Sequence, residues 1–229
     1  MRSNMMLLMA AAIWGLGFVA QRLGMDHMGP FTFNGLRFLL GALSLLPLLW
    51  WLKSRQPRPQ PGSPSGDRRL LLVGGLIAGG VLFSAASLQQ VGLLYTTAAK
   101  AGFITGLYII LVPVIGLALR HKTGVNTWVG ALIAMAGLYY LSVTEEFTIG
   151  YGDLLQVIGA LFWAIHLLVL DHYSNRVAPI RLAGVQFVVC GLLSLGTAFV
   201  IETPTLGGAM AGWQALLYAG LVSVGIGYT

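Results

Sequence analysis

Seven side chains set in apolar surroundings have the chemistry to hold or orient a small molecule: Trp14, Arg37, Gln90, Lys100, Tyr108, Trp163 and His166. Arg37 sits inside an apolar run, where a cation costs about 2.5–3.5 kcal/mol or more unless paired or wet. It is either an anion or carboxylate contact, or a structural arginine bonded to helix-end carbonyls or reaching back to an interface. Lys100 opens another run beside Thr96 and Thr97. It is either a positive lip for an acidic or zwitterionic substrate or a lysine whose stem lies on apolar surface with its head in water. Trp14 and Trp163 lie in the middle of their runs, away from the ends where membrane tryptophans gather. They either line a cavity and stack on flat or apolar molecules, or pack helices. Tyr108 and Gln90 offer the few polar contacts that a mostly apolar pocket needs.

His166, with Asp171 and His172 close behind it, invites a metal or enzyme reading. A five-residue spacing puts His166 and Asp171 on different faces of a helix. There is no HExxH motif, and Cys190 is the only cysteine, so neither a cysteine zinc site nor an internal disulfide is available. His166 reads as a packed, hydrogen-bonded histidine or as a protonatable one lining a cavity. No catalytic residue, metal or cofactor is assigned. None of the apolar runs carries Asp or Glu at its middle, so carboxylate-based proton coupling is not expected in this region.

These residues are positioned by segments that belong in a bilayer. The chain is 57% hydrophobic and 9% charged, whereas soluble domains are about 25% charged. A net charge of +6 would suggest nucleic acid in a soluble protein. Here basic residues act as a topology signal instead, so the expected partners are membrane lipid and a small-molecule substrate, not nucleic acid. Eight runs reach or approach the roughly 20 residues needed to span: Met5–Gln21, Phe31–Leu52, Leu70–Leu93, Ala98–Leu119, Thr127–Val143, Leu154–Leu170, Leu182–Ile201 and Trp213–Thr229. They lack the alternation of barrel strands and are expected to be helices. The opening run, preceded by Arg2, has signal-peptide features, but its removal would delete one copy of the repeat described next, so it is expected to be retained.

Shifting the sequence by 149 places lays Ala11, Trp14, Pro30, Gly35, Phe38, Leu43 and Leu46 on Ala160, Trp163, Pro179, Gly184, Phe187, Leu192 and Leu195 without a gap. This predicts a duplication: residues 1–143 as a first five-helix repeat, 144–153 as an outer connecting turn, and 154–229 as a second repeat. The second copy would continue well past Thr229, so the chain reads as a fragment. Arg2, Lys53, Arg55, Arg58, Arg68, Arg69, Arg120, Lys122, Arg176 and Arg181 collect on one side, which places the N-terminus in the cytoplasm, and Asp26, Glu145, Glu146, Asp153 and Glu202 on the other. An odd number of spans before the turn inverts the second repeat, as in alternating-access carriers. The Pro-rich stretch from Lys53 to Arg69 is a solvated linker. The spacings Gly75 to Gly79 and Gly102 to Gly106 suggest close helix packing, and Pro47 and Pro113 interrupt helical bonding within spans.

Ala11-Ala12-Ile13-Trp14-Gly15-Leu16-Gly17-Phe18-Val19, Gly35-Leu36-Arg37-Phe38-Leu39-Leu40 and the stretch from Tyr95 to Phe103 with Tyr108 and Pro113 occur in this order along the chain. They resemble the EamA-type family of the drug/metabolite transporter superfamily. The resemblance implies an all-α integral membrane bundle of two inverted five-helix repeats, with ten helices expected and about eight present. It also implies a secondary transporter of small metabolites or drugs, amino acids among them, working by export across a bacterial inner membrane, and not an enzyme. Two other readings stand beside it: an integral membrane enzyme acting on lipid through His166, Asp171 and His172, and a non-transporting scaffold.

Overall fold

The computed structural model describes residues 2–55, 68–119, 124–142 and 150–228, and among these the secondary structure is helical throughout. The elements are α1 (Arg2–Gly24), α2 (Pro30–Ser44), α3 (Leu46–Arg55), α4 (Arg68–Gly92), α5 (Ala98–Thr105), α6 (Tyr108–Ala118), α7 (Val125–Ser142), α8 (Tyr151–Ser174), α9 (Pro179–Ile201), α10 (Leu206–Ala211), α11 (Trp213–Leu217) and a π-helix over Tyr218–Ile226. Five stretches have both the length and the hydropathy to cross a bilayer: Pro30–Leu52, Arg68–Gly92, Ala98–Ala118, Tyr151–Ser174 and Pro179–Ile201. Leu8–Gly24, Val125–Gly137 and Trp213–Ile226 are apolar and shorter. Arg58 and the proline stretch of the linker, Arg120, Lys122, Glu145 and Glu146 lie outside the described residues.

Local chemistry sets the element boundaries. Pro30 and Pro179 occupy the first turn of α2 and α9, where a missing N–H costs nothing. The two helices therefore begin 149 residues apart, as do α1 and α8. The helix α8 begins earlier than its apolar run, because Asp153 in the first turn accepts from Gly150 N at 2.8 Å and closes the orphan N-terminus. Asp153 lies in the first turn of α8.

Glycine contacts fix the directions of the helices. A Cβ on Gly35 of α2 would lie 2.5 Å from Leu195 Cγ, one on Gly191 of α9 would lie 2.8 Å from Leu39 Cγ, and Gly184 is nearest Leu49. Those pairings run in opposite senses, so α2 and α9 are antiparallel. By the same reading α4 is parallel to α9, with Gly75 on Val185 and Gly79 on Val189, and antiparallel to α8, with Gly92 beside Gly152 and Gly74 beside Tyr173. Likewise the π-helix is parallel to α2, with Gly41 on Val224 and Gly225 on Ser44, and antiparallel to α1, with Gly17 on Ser223. Replacing α1, α2 and α4 by α8, α9 and the α11–π segment leaves this set of neighbours unchanged.

The Gly75 and Gly79 pair serves close packing. Gly102 does not: a Cβ there would meet only Phe18, at 3.8 Å, and Gly106 is the C-cap of α5. The core between α2, α4, α9 and the π-helix is built from Phe38, Leu82, Ala86, Phe187, Cys190 and Val224. Leu76, Ile77, Leu192, Phe199 and Val200 are among the apolar residues left exposed, as expected of a surface solvated by lipid tails. In the π-helix, Gly227 N donates to Val222 O at 2.9 Å, a five-residue step. This winding brings Tyr218, Ser223 and Tyr228 onto α1: Tyr218 Oη donates to Ile13 O at 3.0 Å, Ser223 abuts Gly17, and the Tyr228 ring meets Trp14.

Candidate functional site

Trp14 and Trp163, on the matched helices α1 and α8, meet across one residue. The Tyr228 ring centroid is 5.6 Å from Trp14 and 6.4 Å from Trp163. Phe187 of α9 packs edge-on to Tyr228 at 5.5 Å, and Phe38 of α2 lies 6.0 Å from Phe187. The guanidinium of Arg37, 4.9 Å above the Phe38 ring and 5.8 Å from Phe33, closes this aromatic row. Arg37 is only 4% exposed, its Nε has no hydrogen-bond partner, and no carboxylate pairs with it among the described residues. A desolvated cation–π contact contributes about 2 kcal/mol, which offsets most of the cost of a cation at this depth. The ring faces therefore hold the charge in place without neutralising it.

His166 adjoins the same cluster, its ring 5.8 Å from Trp163, and its Nε2 donates to Gln186 Oε1 at 2.7 Å. Gln186 is the residue that the 149-place shift matches to Arg37. That bond leaves His166 Nδ1 as a buried acceptor with no partner among the described residues, and Trp14 Nε1 is a buried donor in the same condition. Tyr108 on α6 is half-buried. Four of the seven candidates, Trp14, Arg37, Trp163 and His166, are thus linked into one group.

A second polar chain, unforeseen in the sequence, supports the cluster. Trp163 Nε1 donates to Gln89 Oε1 at 2.9 Å, and Gln89 Nε2 donates to Gln21 Oε1 at 3.0 Å. Gln156 Nε2 reaches Gln89 O at 2.9 Å, and Thr105 Oγ1 donates to Gln156 Oε1 at 3.2 Å. Four helices, α1, α4, α5 and α8, therefore share one buried network that fixes the indole of Trp163. A single glutamine in an apolar run has no signature that separates it from its neighbour, so Gln90 stood out in the sequence while Gln89 did not. Tyr228 likewise had no spacing to mark it.

Gln90 and Lys100 lie apart from this group. Gln90 is fully buried on α4 with both amide atoms unpartnered among the described residues. One turn away on the same helix, Ala86 O accepts from Asn34 Nδ2 at 3.1 Å. Lys100 Nζ is bonded to Asp153 Oδ2 at 2.6 Å, so its positive head has a protein carboxylate as partner. His166, Asp171 and His172 are not assembled: the first is buried and the other two are exposed. Two surface grooves lie elsewhere. One of about 440 Å³ runs between α1 and α11 and includes Leu16, Leu23, Asp26 and Tyr218, and one of about 410 Å³ lies along α9.

The model of the EamA-like transporter family matches residues 1–143 and 150–229. The chain belongs to that family. As an EamA-like protein it is an all-α polytopic membrane protein. An uncharacterized transporter of Archaeoglobus fulgidus is 34% identical over 202 residues, covering 87% of this chain. The chain spans 58% of that relative's length. The uncharacterized transporter YoaV of Bacillus subtilis is 24% identical, covering 93% of this EamA-like chain and 72% of its own. The uncharacterized inner membrane transporter YedA of Escherichia coli is also 24% identical, over 93% of this chain and 68% of its own. A solved crystal structure superposes with a TM-score of 0.67 at 20% identity, over 98% of this chain and 77% of that one, which is a likeness of fold.

Proposed function

We propose that this EamA-like chain belongs to a secondary transporter that exports small metabolites or drugs, amino acids among them, across the cytoplasmic membrane by alternating access. The observation that carries the reading is the joining of Trp14 and Trp163 through Tyr228, with Arg37 held charged at the far end of the same aromatic row. Rings of this kind suit a flat or apolar body, and an arginine with no carboxylate partner suits a carboxylate or another anionic group. A molecule carrying both is the substrate class this arrangement fits, with His166 as a further polar contact beside Trp163, while Tyr108, Gln90 and Lys100 stand outside the aromatic row.

The antiparallel course of α2 and α9, which begin 149 residues apart, supports a division into two inverted repeats, 1–143 and 154–229, joined by the turn 144–153. Two such halves exchange conformations around a midplane site. With basic residues on the cytoplasmic side, the N-terminus is cytoplasmic and Asp153 and Glu202 lie at the outer end.

Flux through liposomes containing the full-length protein tests this reading, screened against pools of amino acids, nucleosides and cationic dyes. Saturable movement of at least one pool is expected. Absence of flux for every pool would sink it. The lipid-enzyme reading has no assembled site in its favour, since His166 is buried away from Asp171 and His172.

A further inference from the structure

Two carboxylates tie the first half of the chain to the second, and both lie at one end of the bundle. Asp153, at the start of α8, is 3% exposed, and both its oxygens are engaged: Oδ2 by Lys100 Nζ at 2.6 Å and Gly150 N at 2.8 Å, Oδ1 by Thr96 Oγ1 at 2.7 Å. Glu202, just past α9, reaches the open N-terminus of α2. Its Oε1 accepts from Phe31 N at 2.8 Å, and its Oε2 accepts from Thr32 N at 2.8 Å and Thr32 Oγ1 at 2.6 Å. Such bonds are charge-assisted, and a helix N-terminus favours an anion. Gly29 is required beside this contact, because a Cβ there would strike the Glu202 carboxyl.

The 149-place shift matches Glu202 to Lys53 and Asp153 to Asn4. A lysine head has no acceptor and an asparagine no charge, so neither carboxylate has a chemical equivalent at the other end. Among the described residues, the first turn of α9 receives no side-chain cap like the one Glu202 gives α2. The two halves are similar, but the ties between them are one-sided.

We propose that Asp153 and Glu202 are paired latches that close the outer end of the bundle, and that this end opens only when both let go. The inference rests on the alternating-access reading and adds to it which end is held shut, and by which groups. Release costs each carboxylate its partners within the protein, so loss of one latch leaves the other holding α2 to α9 or α5 to α8.

The test uses the full-length protein in nanodiscs, with Cys190 replaced by Ala and nitroxide labels at Leu94→Cys and Thr203→Cys. Both positions are exposed at this end, one in each half. Pulsed spin-label distances should give one population in the latched protein and in each of Asp153→Asn and Glu202→Gln. The double variant should add a population longer by about 5 Å, the scale of a one-turn displacement. An unchanged distribution in the double variant would overturn the proposal, as would full opening in either single one. Should the double variant not fold, Thr96→Val with Thr32→Val removes one bond from each latch. That pair should give a smaller long-distance fraction, and none would count against the latches. Flux of the same liposome pools is measured in parallel. Flux with unmoved distances retires the latches alone, and moved distances without flux retire the transport reading alone.

Discussion

At the scale of single residues, Arg37 is held by ring faces and not by a counter-ion, so its removal should harm recognition more than folding. Arg37→Met is expected to raise KM for a carboxylate substrate about tenfold or more, the equivalent of one charge-assisted hydrogen bond, with the thermal midpoint unchanged or higher. Arg37→Lys should rescue this only in part, because a point charge does not stack as a flat guanidinium does. Gln89 makes the opposite case. Its amide joins Trp163 to Gln21, and Gln89→Leu would leave Trp163 Nε1 and Gln21 Oε1 without these partners. Intramembrane hydrogen bonds average about 0.6 kcal/mol, so two of them predict a loss of about 1 kcal/mol, read as a fall of roughly 2–4 °C in thermal midpoint. A shift in indole N–H vibrations that disappears in Trp163→Phe would assign the effect. Arg37 and the two tryptophans were legible in the sequence because such residues are rare in mid-span. Gln21, Gln89 and Gln156 were not, since what distinguishes them is who faces them across three other helices.

At the scale of helices, glycine positions divide by what stands opposite. A Cβ on Gly79 would lie 2.6 Å from Val189 Cβ and 3.0 Å from Gln186 O, whereas nothing lies within 4 Å of one on Gly130 or Gly137. Gly79→Leu should therefore push α4 off α9 and cost about 1–3 kcal/mol or more. Gly130→Ala should be neutral or stabilising by roughly 0.5–1 kcal/mol, as it removes only backbone freedom. Thermal midpoints in one detergent would rank the two, and equal effects would contradict the packing described. Helix existence was plain from apolar run length. The start of α8 was less so, because Gly150-Tyr151-Gly152-Asp153 has the composition of a turn and becomes helical through Lys100, which neutralises Asp153 from 53 residues away. The Gly102 to Gly106 spacing misled for the converse reason: a Cβ on Gly102 would meet only Phe18, at 3.8 Å, so no close neighbour stands opposite it.

At the scale of the whole molecule, α1, α2 and α4 pack as α8, α9 and the α11–π segment do, with each pair reversed. If the second half is the first turned over, Lys53 and Glu145 face opposite compartments. Single-cysteine labelling with an impermeant reagent in sealed vesicles should modify one from outside and the other only after permeabilisation. Modification of both from one side would refute the inversion. The shift of 149 was readable because Pro30 and Pro179 start their helices in the same way. The π-helix broke the match unseen, since nothing in Tyr218–Ile226 advertises a wider winding. Tyr218 Oη reaches Ile13 O, Ser223 abuts Gly17 and the Tyr228 ring meets Trp14, so this stretch touches the first helix through three side chains. Rewound with four-residue bonds, the same stretch would present a different set of side chains to α1 and shift Tyr228 relative to both tryptophans. The widened coil and the Trp14–Tyr228–Trp163 junction thus form one feature, and tightening the coil would unfasten the rings that join the two halves.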